Sequence, residues 1–129
     1  MNKKYKLYTT YLSNLKNLDT SDAIVAIVMR FPPFIPKEKS NMIHIPELSP
    51  TGELLLEYKE NKDFDSFKDK LWEQWNSSEE STLRLKQIEY ALDNSNDVYL
   101  VCCEKDYNEC HRKILGEHFE FLGYEWEEV

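Results

Sequence analysis

The stretch DVYLVCCEKDYNECHR, residues 97–112, decides how this chain folds. Its first half, DVYLVCCE (97–104), is an almost unbroken apolar run, the pattern of a strand covered on both faces. A short polar turn follows. Residues 108–122 then place Ile114, Leu115, Phe119 and Leu122 at helical spacing, and Gly123 supplies a stop. Asp106 and Glu109 have capping-box spacing and Asn108 is a rival cap. If Asn108 caps, Cys110 lies in the first turn, where the helix dipole favours its thiolate. A buried strand that turns directly into a helix is the unit of a parallel sheet.

The rest of the chain repeats that unit. KYKLYTTYL (4–12) reads as a strand, and SNLKNL (13–18) as a short helix that Ser13 could cap. DAIVAIVMRF (22–31) is a second strand buried on both faces, ended by Pro32 and Pro33. Residues 34–50, with Pro36, Pro46 and Pro50, read as a long irregular connection, suited to act as a lid. GELLLEYKENKDFDSFKDKLWEQW (52–75) gives two helices broken near Asn61–Asp63, the second with an apolar stripe of Phe64, Phe67, Leu71 and Trp75. A helix over 77–94 buries Leu85, Ile88 and Leu92, and YEWEE (124–128) alternates as a last short strand. The reading is α/β: a single three-layer domain over residues 1–129, with a small, mostly parallel sheet flanked by helices on both faces.

The 129 residues carry a net charge of -8, so duplex binding would gain nothing from counterion release, which argues against nucleic acid as a partner. A pocket can still be locally basic and hold a small anion. No apolar run is long enough to span a membrane. The basic MNKKYKLY start is followed by no apolar signal core, so a cytoplasmic protein is expected. Cys102 and Cys103 are adjacent and face opposite ways on a strand, so reduced thiols are expected rather than a disulfide framework.

Ligands of open parallel sheets bind at the carboxyl ends of strands. Those ends bring Thr10 and Ser13, then Arg30, then Cys103 and Glu104 to one edge, with Arg112 in the following helix. Arg30 and Arg112 would bind anionic oxygens, with Thr10 and Ser13 beside them. Glu104 would orient them or act as acid or base. For nucleophilic chemistry, Cys110 or Cys103 is the candidate thiolate and His111 or Glu104 its base. Zinc is not expected, because on a helix the adjacent Cys110 and His111 would point apart, and no cofactor is called for. Cys102 reads as core packing, and Arg112, off the core, as removable without loss of the fold.

A strand ending Leu-Leu-Cys-x-Glu, then Cys-His-Arg opening a helix, resembles the signature of the domain-of-unknown-function 488 family. Here the residues are Val98-Tyr-Leu-Val-Cys-Cys-Glu104 and Cys110-His111-Arg112. LYTTYLSNLKNL, IVMRFPPF (27–34) and ELSPTGELLLEYK (47–59) resemble other segments of that family. The resemblance implies a compact α/β domain of bacteria and phages with no settled activity. It favours Arg30, Glu104, Cys110, His111 and Arg112 as the pocket and gives Cys102 no role. The expected function is binding, with or without processing, of a small phosphorylated ligand such as a nucleotide or modified nucleoside; an enzyme of this kind would be a hydrolase or transferase. The alternatives are a thiol-dependent enzyme or redox protein using Cys110, and an acidic protein that docks on a basic partner.

Overall fold

The computed structural model describes residues 5–30 and 42–129. Five parallel strands form one sheet in the order β3-β2-β4-β1-β5. They are β1 (Leu7–Tyr11), β2 (Ala23–Ile27), β3 (Met42–His44), β4 (Asp97–Cys102) and β5 (Trp126–Glu128). The two runs read as doubly buried are interior neighbours: β4 pairs with β2 from Ala23↔Asp97 to Ile27↔Val101, and with β1 from Leu7↔Val98 to Tyr11↔Cys102. The helices are α1 (Gly52–Asn61), α2 (Phe64–Asn76), α3 (Glu79–Asn94) and α4 (His111–Phe121).

The strand pleat divides the interior. Val98, Leu100 and Cys102 of β4 join Ala26 and Val28 in the larger core, with Leu71 and Trp75 of α2, Ile88 and Leu92 of α3, and Ile114, Leu115 and Phe119 of α4. Val101 turns the other way and packs with Val25, Ile27, Leu12 and Leu15. The helical layer on that second face is one 3-10 turn, Leu12–Asn17. Ser13 lies inside this turn and is exposed. Tyr11 is its first flanking residue, and no side chain caps it.

Two expectations need correction. The 34–50 connection is not irregular throughout. Met42–His44 adds an edge strand to β2, and Pro46–Leu48 forms a 3-10 turn. β3 sits between Pro36 and Pro46 and its MIH shows no apolar–polar alternation, unlike YEWEE around β5, which is why periodicity missed it. The remainder of that segment, 34–41, lies outside the described residues, as do Pro32, Pro33 and Met1–Lys4. At the other end, Asp106 accepts the N–H of Asn108 at 3.0 Å and so caps only a short 3-10 turn, Tyr107–Glu109. The residue flanking α4 is Cys110, so neither Asp106 nor Asn108 caps that helix. Among the described residues no helix is long and apolar enough to cross a membrane.

Candidate active site

Cys110 has an extended backbone, φ -127 and ψ 146, while His111 is the first residue of α4. That change of conformation between neighbours undoes the expectation that their side chains diverge. The Cys110 sulfur and His111 Nδ1 lie 3.8 Å apart. The pleat of β4 brings Cys102 to the same spot, 3.9 Å from Nδ1 and 3.5 Å from Nε2. The reacting atoms of all three buried residues fall within 4.8 Å of one another. Cys103, one residue on, is exposed.

His111 Nε2 sits 2.6 Å from the Val28 carbonyl oxygen, which can only accept, so Nε2 carries the hydrogen. Nδ1 is left for the Cys110 sulfur, with the Cys102 sulfur at the flank of the ring. Burial by itself raises the Cys110 thiol. The hydrogen bond from Cys102 and the positive charge of His111 and Arg112 outweigh it and hold Cys110 well below the usual thiol range. Cys102 is pushed far up, by burial first and by its bond to Cys110 second. For His111, burial lowers the imidazole, but the Cys110 charge and the Val28 carbonyl overcome this and raise it. These shifts all favour a thiolate on Cys110 beside a protonated His111, with the proton kept on Cys102.

Three such donors suggest a metal, and the sequence-based ground for excluding one, divergent side chains, does not hold. The angles are less favourable than the distances. A zinc ion on the Nδ1 lone pair and ~2.3 Å from each sulfur would leave Cys102 about 5 Å from Nε2. The observed 3.5 Å places this sulfur beside the ring rather than around a shared centre with Nδ1.

The cluster forms the floor of a cavity of about 670 Å3 beyond the carboxyl ends of β2 and β4. Met29, Pro50, Leu55, Tyr58 and Phe67 give it apolar walls. Four cations, Arg30, Lys59, Lys62 and Lys105, line it against two carboxylates, Glu104 and Glu109. The balance is positive in a chain whose net charge is -8. Lys62 Nζ lies over the Tyr58 ring at 5.7 Å from its centroid.

The residues named from sequence separate into two groups. Arg30, Glu104, Cys110 and His111 line the cavity, as does Cys103. Thr10, Ser13 and Arg112 do not. Thr10 Oγ1 donates to the Val129 carbonyl at 2.9 Å and accepts from Asn14 at 3.1 Å, because β5 runs beside β1 and brings Val129 level with Thr10. Arg112 is fully buried. Its Nε and Nη2 donate to the Glu128 carboxylate at 3.0 and 2.8 Å, and the guanidinium also holds the carbonyls of Glu104 and Lys105. With those donors used internally it braces the loop carrying Glu104, and it is buried away from the cavity rather than off the core. Cys102 is the residue that sequence reasoning set aside. Counted back from Glu104, it is the Cys of Cys-x-Glu, and Cys103 is the intervening position.

These features describe an α/β domain with a thiol cluster under a strand-end cavity. The family model DUF488-N3a, the active DUF488-N3 subclade, matches residues 7–122, and the chain belongs to this family. Neither the curated proteins nor the solved structures contain a match.

Proposed function

We propose that this chain is a thiol-dependent enzyme acting on a small phosphorylated ligand, such as a nucleotide or modified nucleoside. Cys110 is its nucleophile and His111 its proton carrier. The observation that supports this most is the contact of Cys110 with Nδ1 of a histidine whose other nitrogen is fixed by Val28, on the floor of a cation-lined cavity. A thiolate attacks; a thiol does not. An imidazolium beside it stabilises the anion and then protonates the leaving group. Arg30, Lys59, Lys62 and Lys105 supply charge for phosphate oxygens, and the apolar wall suits a base or other flat group. Glu104, exposed at the cavity edge, is available to activate water for release of a covalent intermediate. The description of the matching subclade as active accords with catalysis.

Alkylation of Cys110 tests the nucleophile. Iodoacetamide should label Cys110 at a pH below the ordinary thiol range, about 8–9, since a lowered pKa keeps the thiolate present until the pH falls through it. The groups that set this are Cys102 on β4 and His111 and Arg112 on α4, so His111→Ala should move the profile upward. A Cys110 that labels only above the ordinary range rejects the reading. For the ligand, thermal shifts against nucleotides and sugar phosphates should find one that, at 100 times its Kd, adds about 2.7 kcal/mol of stability.

A further inference from the structure

We infer that Cys102 and Cys110 form a dithiol–disulfide couple, through which a low-molecular-weight anionic disulfide reversibly removes the site's nucleophile. The inference rests on Cys110 being that nucleophile and adds a partner, Cys102, that the proposed reaction leaves unused.

The geometry supplies each part. Cys102 is held at the end of the central strand and Cys110 at the entry to α4, so the two approach from different elements, with sulfurs no more than 4.8 Å apart. A bond of ~2.05 Å needs side-chain rotation to close the remaining gap. Both thiols are buried and both border the cavity, which gives a reagent its route to them. The cations at the cavity, Arg30 and Lys59 among them, favour a disulfide that carries carboxylates. His111 Nδ1 stands 3.8 Å from the Cys110 sulfur and 3.9 Å from that of Cys102, which lies beside the ring; the rotation that closes the disulfide also has to bring Cys102 to Nδ1, so that one nitrogen serves both proton transfers.

The steps balance without a further reactant. The Cys110 thiolate attacks one sulfur of RSSR, forming Cys110–S–S–R and expelling RS⁻, which takes the proton of the His111 imidazolium. Neutral Nδ1 then accepts the Cys102 proton as the Cys102 sulfur attacks Cys110 Sγ. The second RS⁻ leaves and takes that proton from Nδ1. Two protein thiols are oxidised to one disulfide, and RSSR is reduced to two RSH. Thiol–disulfide exchange of this kind runs from the thiolate and is reversed by excess thiol.

The test uses the full chain carrying Cys103→Ser, which removes the exposed thiol and leaves two cysteines. Glutathione disulfide is the probe, read by intact mass and peptide mapping. The expected product has lost two hydrogens, retains no glutathionyl group, joins Cys102 to Cys110 and reverts with dithiothreitol. Adding Cys102→Ser, or Cys102→Ala as a second variant, should instead leave one glutathionyl group on Cys110. A stable glutathionyl adduct on Cys110 with Cys102 present would overturn the couple while leaving Cys110 as nucleophile. A Cys110 inert both to the disulfide and to iodoacetamide, in a chain shown to be folded by circular dichroism, would remove the proposed function as well.

Discussion

The two sides of β4 treat similar chemistry in opposite ways. Toward β2 the strand ends open into a cavity whose floor is Cys102, Cys110 and His111. Toward β1 and β5 they are closed. Val129 donates its N–H to the Thr9 carbonyl, Thr9 Oγ1 donates to Glu128, and Glu128 pairs with buried Arg112. A sequence shows polar side chains at both sets of ends and does not show which set the chain later covers. An arginine at a strand-end helix is a ligand contact on an open edge and a strut on a closed one. Here the difference follows from β5, a three-residue strand added to β1.

The largest effect expected from this contrast is that of Arg112→Ala. It leaves the Glu128 carboxylate with Thr9 alone and strands the carbonyls of Glu104 and Lys105; losing one partner of a buried pair costs about 3–5 kcal/mol, and the partial exposure of Glu128 points to the lower end. Urea denaturation should show it. Lysine, one donor group in place of a planar fork, should recover only part. A change under about 1 kcal/mol would mean that the closed side is not held by this pair.

Gly116→Ala should come next. A Cβ at Gly116 on α4 would run into the Trp126 ring of β5, whose Nε1 donates to Thr9 Oγ1 at 2.8 Å. The indole must shift from its seat, and overpacking of this kind costs typically 1–3 kcal/mol. The loss should appear in thermal unfolding. Cys110 alkylation, on the open side, should keep its rate, and a parallel fall in that rate would show that the two sides are not independent.

How much of this was legible before the structure depended on length and on neighbours. Long apolar runs such as IVAIV and VYLVC fixed the interior strands and their parallel pairing, since only a doubly covered sheet tolerates them. The stripe Phe64, Phe67, Leu71 and Trp75 was equally plain; the last three are buried and Phe64 is partly so. Met42–His44 was not, because MIH does not alternate and prolines on either side read as irregular chain. For the site, strand ends put Arg30 and Glu104 at one edge and the family resemblance added Cys110 and His111; all four line the same cavity. Cys102 was set aside because a small apolar residue in a buried strand needs no explanation; the signal available was the pleat, which turns it to the face that α4 covers. The internal place of Arg112 was not legible because nothing local announces Glu128, sixteen residues later, as its partner.

Arg30→Ala sharpens the comparison from the open side, with the smallest expected effect on stability. Arg30 is exposed at the cavity edge, just beyond β2. An exposed side chain clear of the core changes stability by about 0.5 kcal/mol or less on removal. Its contribution lies in ligand affinity. A charge-assisted hydrogen bond to a phosphate oxygen is worth about 1.5–3 kcal/mol, or roughly 10- to 150-fold in Kd. Lys59, Lys62 and Lys105 share the charge, which points to the lower end of that range. Titration calorimetry with the ligand found by thermal shift should therefore show a weakening of roughly tenfold at unchanged Tm, diminishing as salt screens the exposed charges. Arg112→Ala reverses the pattern, with a large loss of Tm. If Arg30→Ala left affinity untouched while Lys59→Ala abolished it, the anion would sit against α1 rather than at the end of β2, and the strand-end account of recognition would have to move with it.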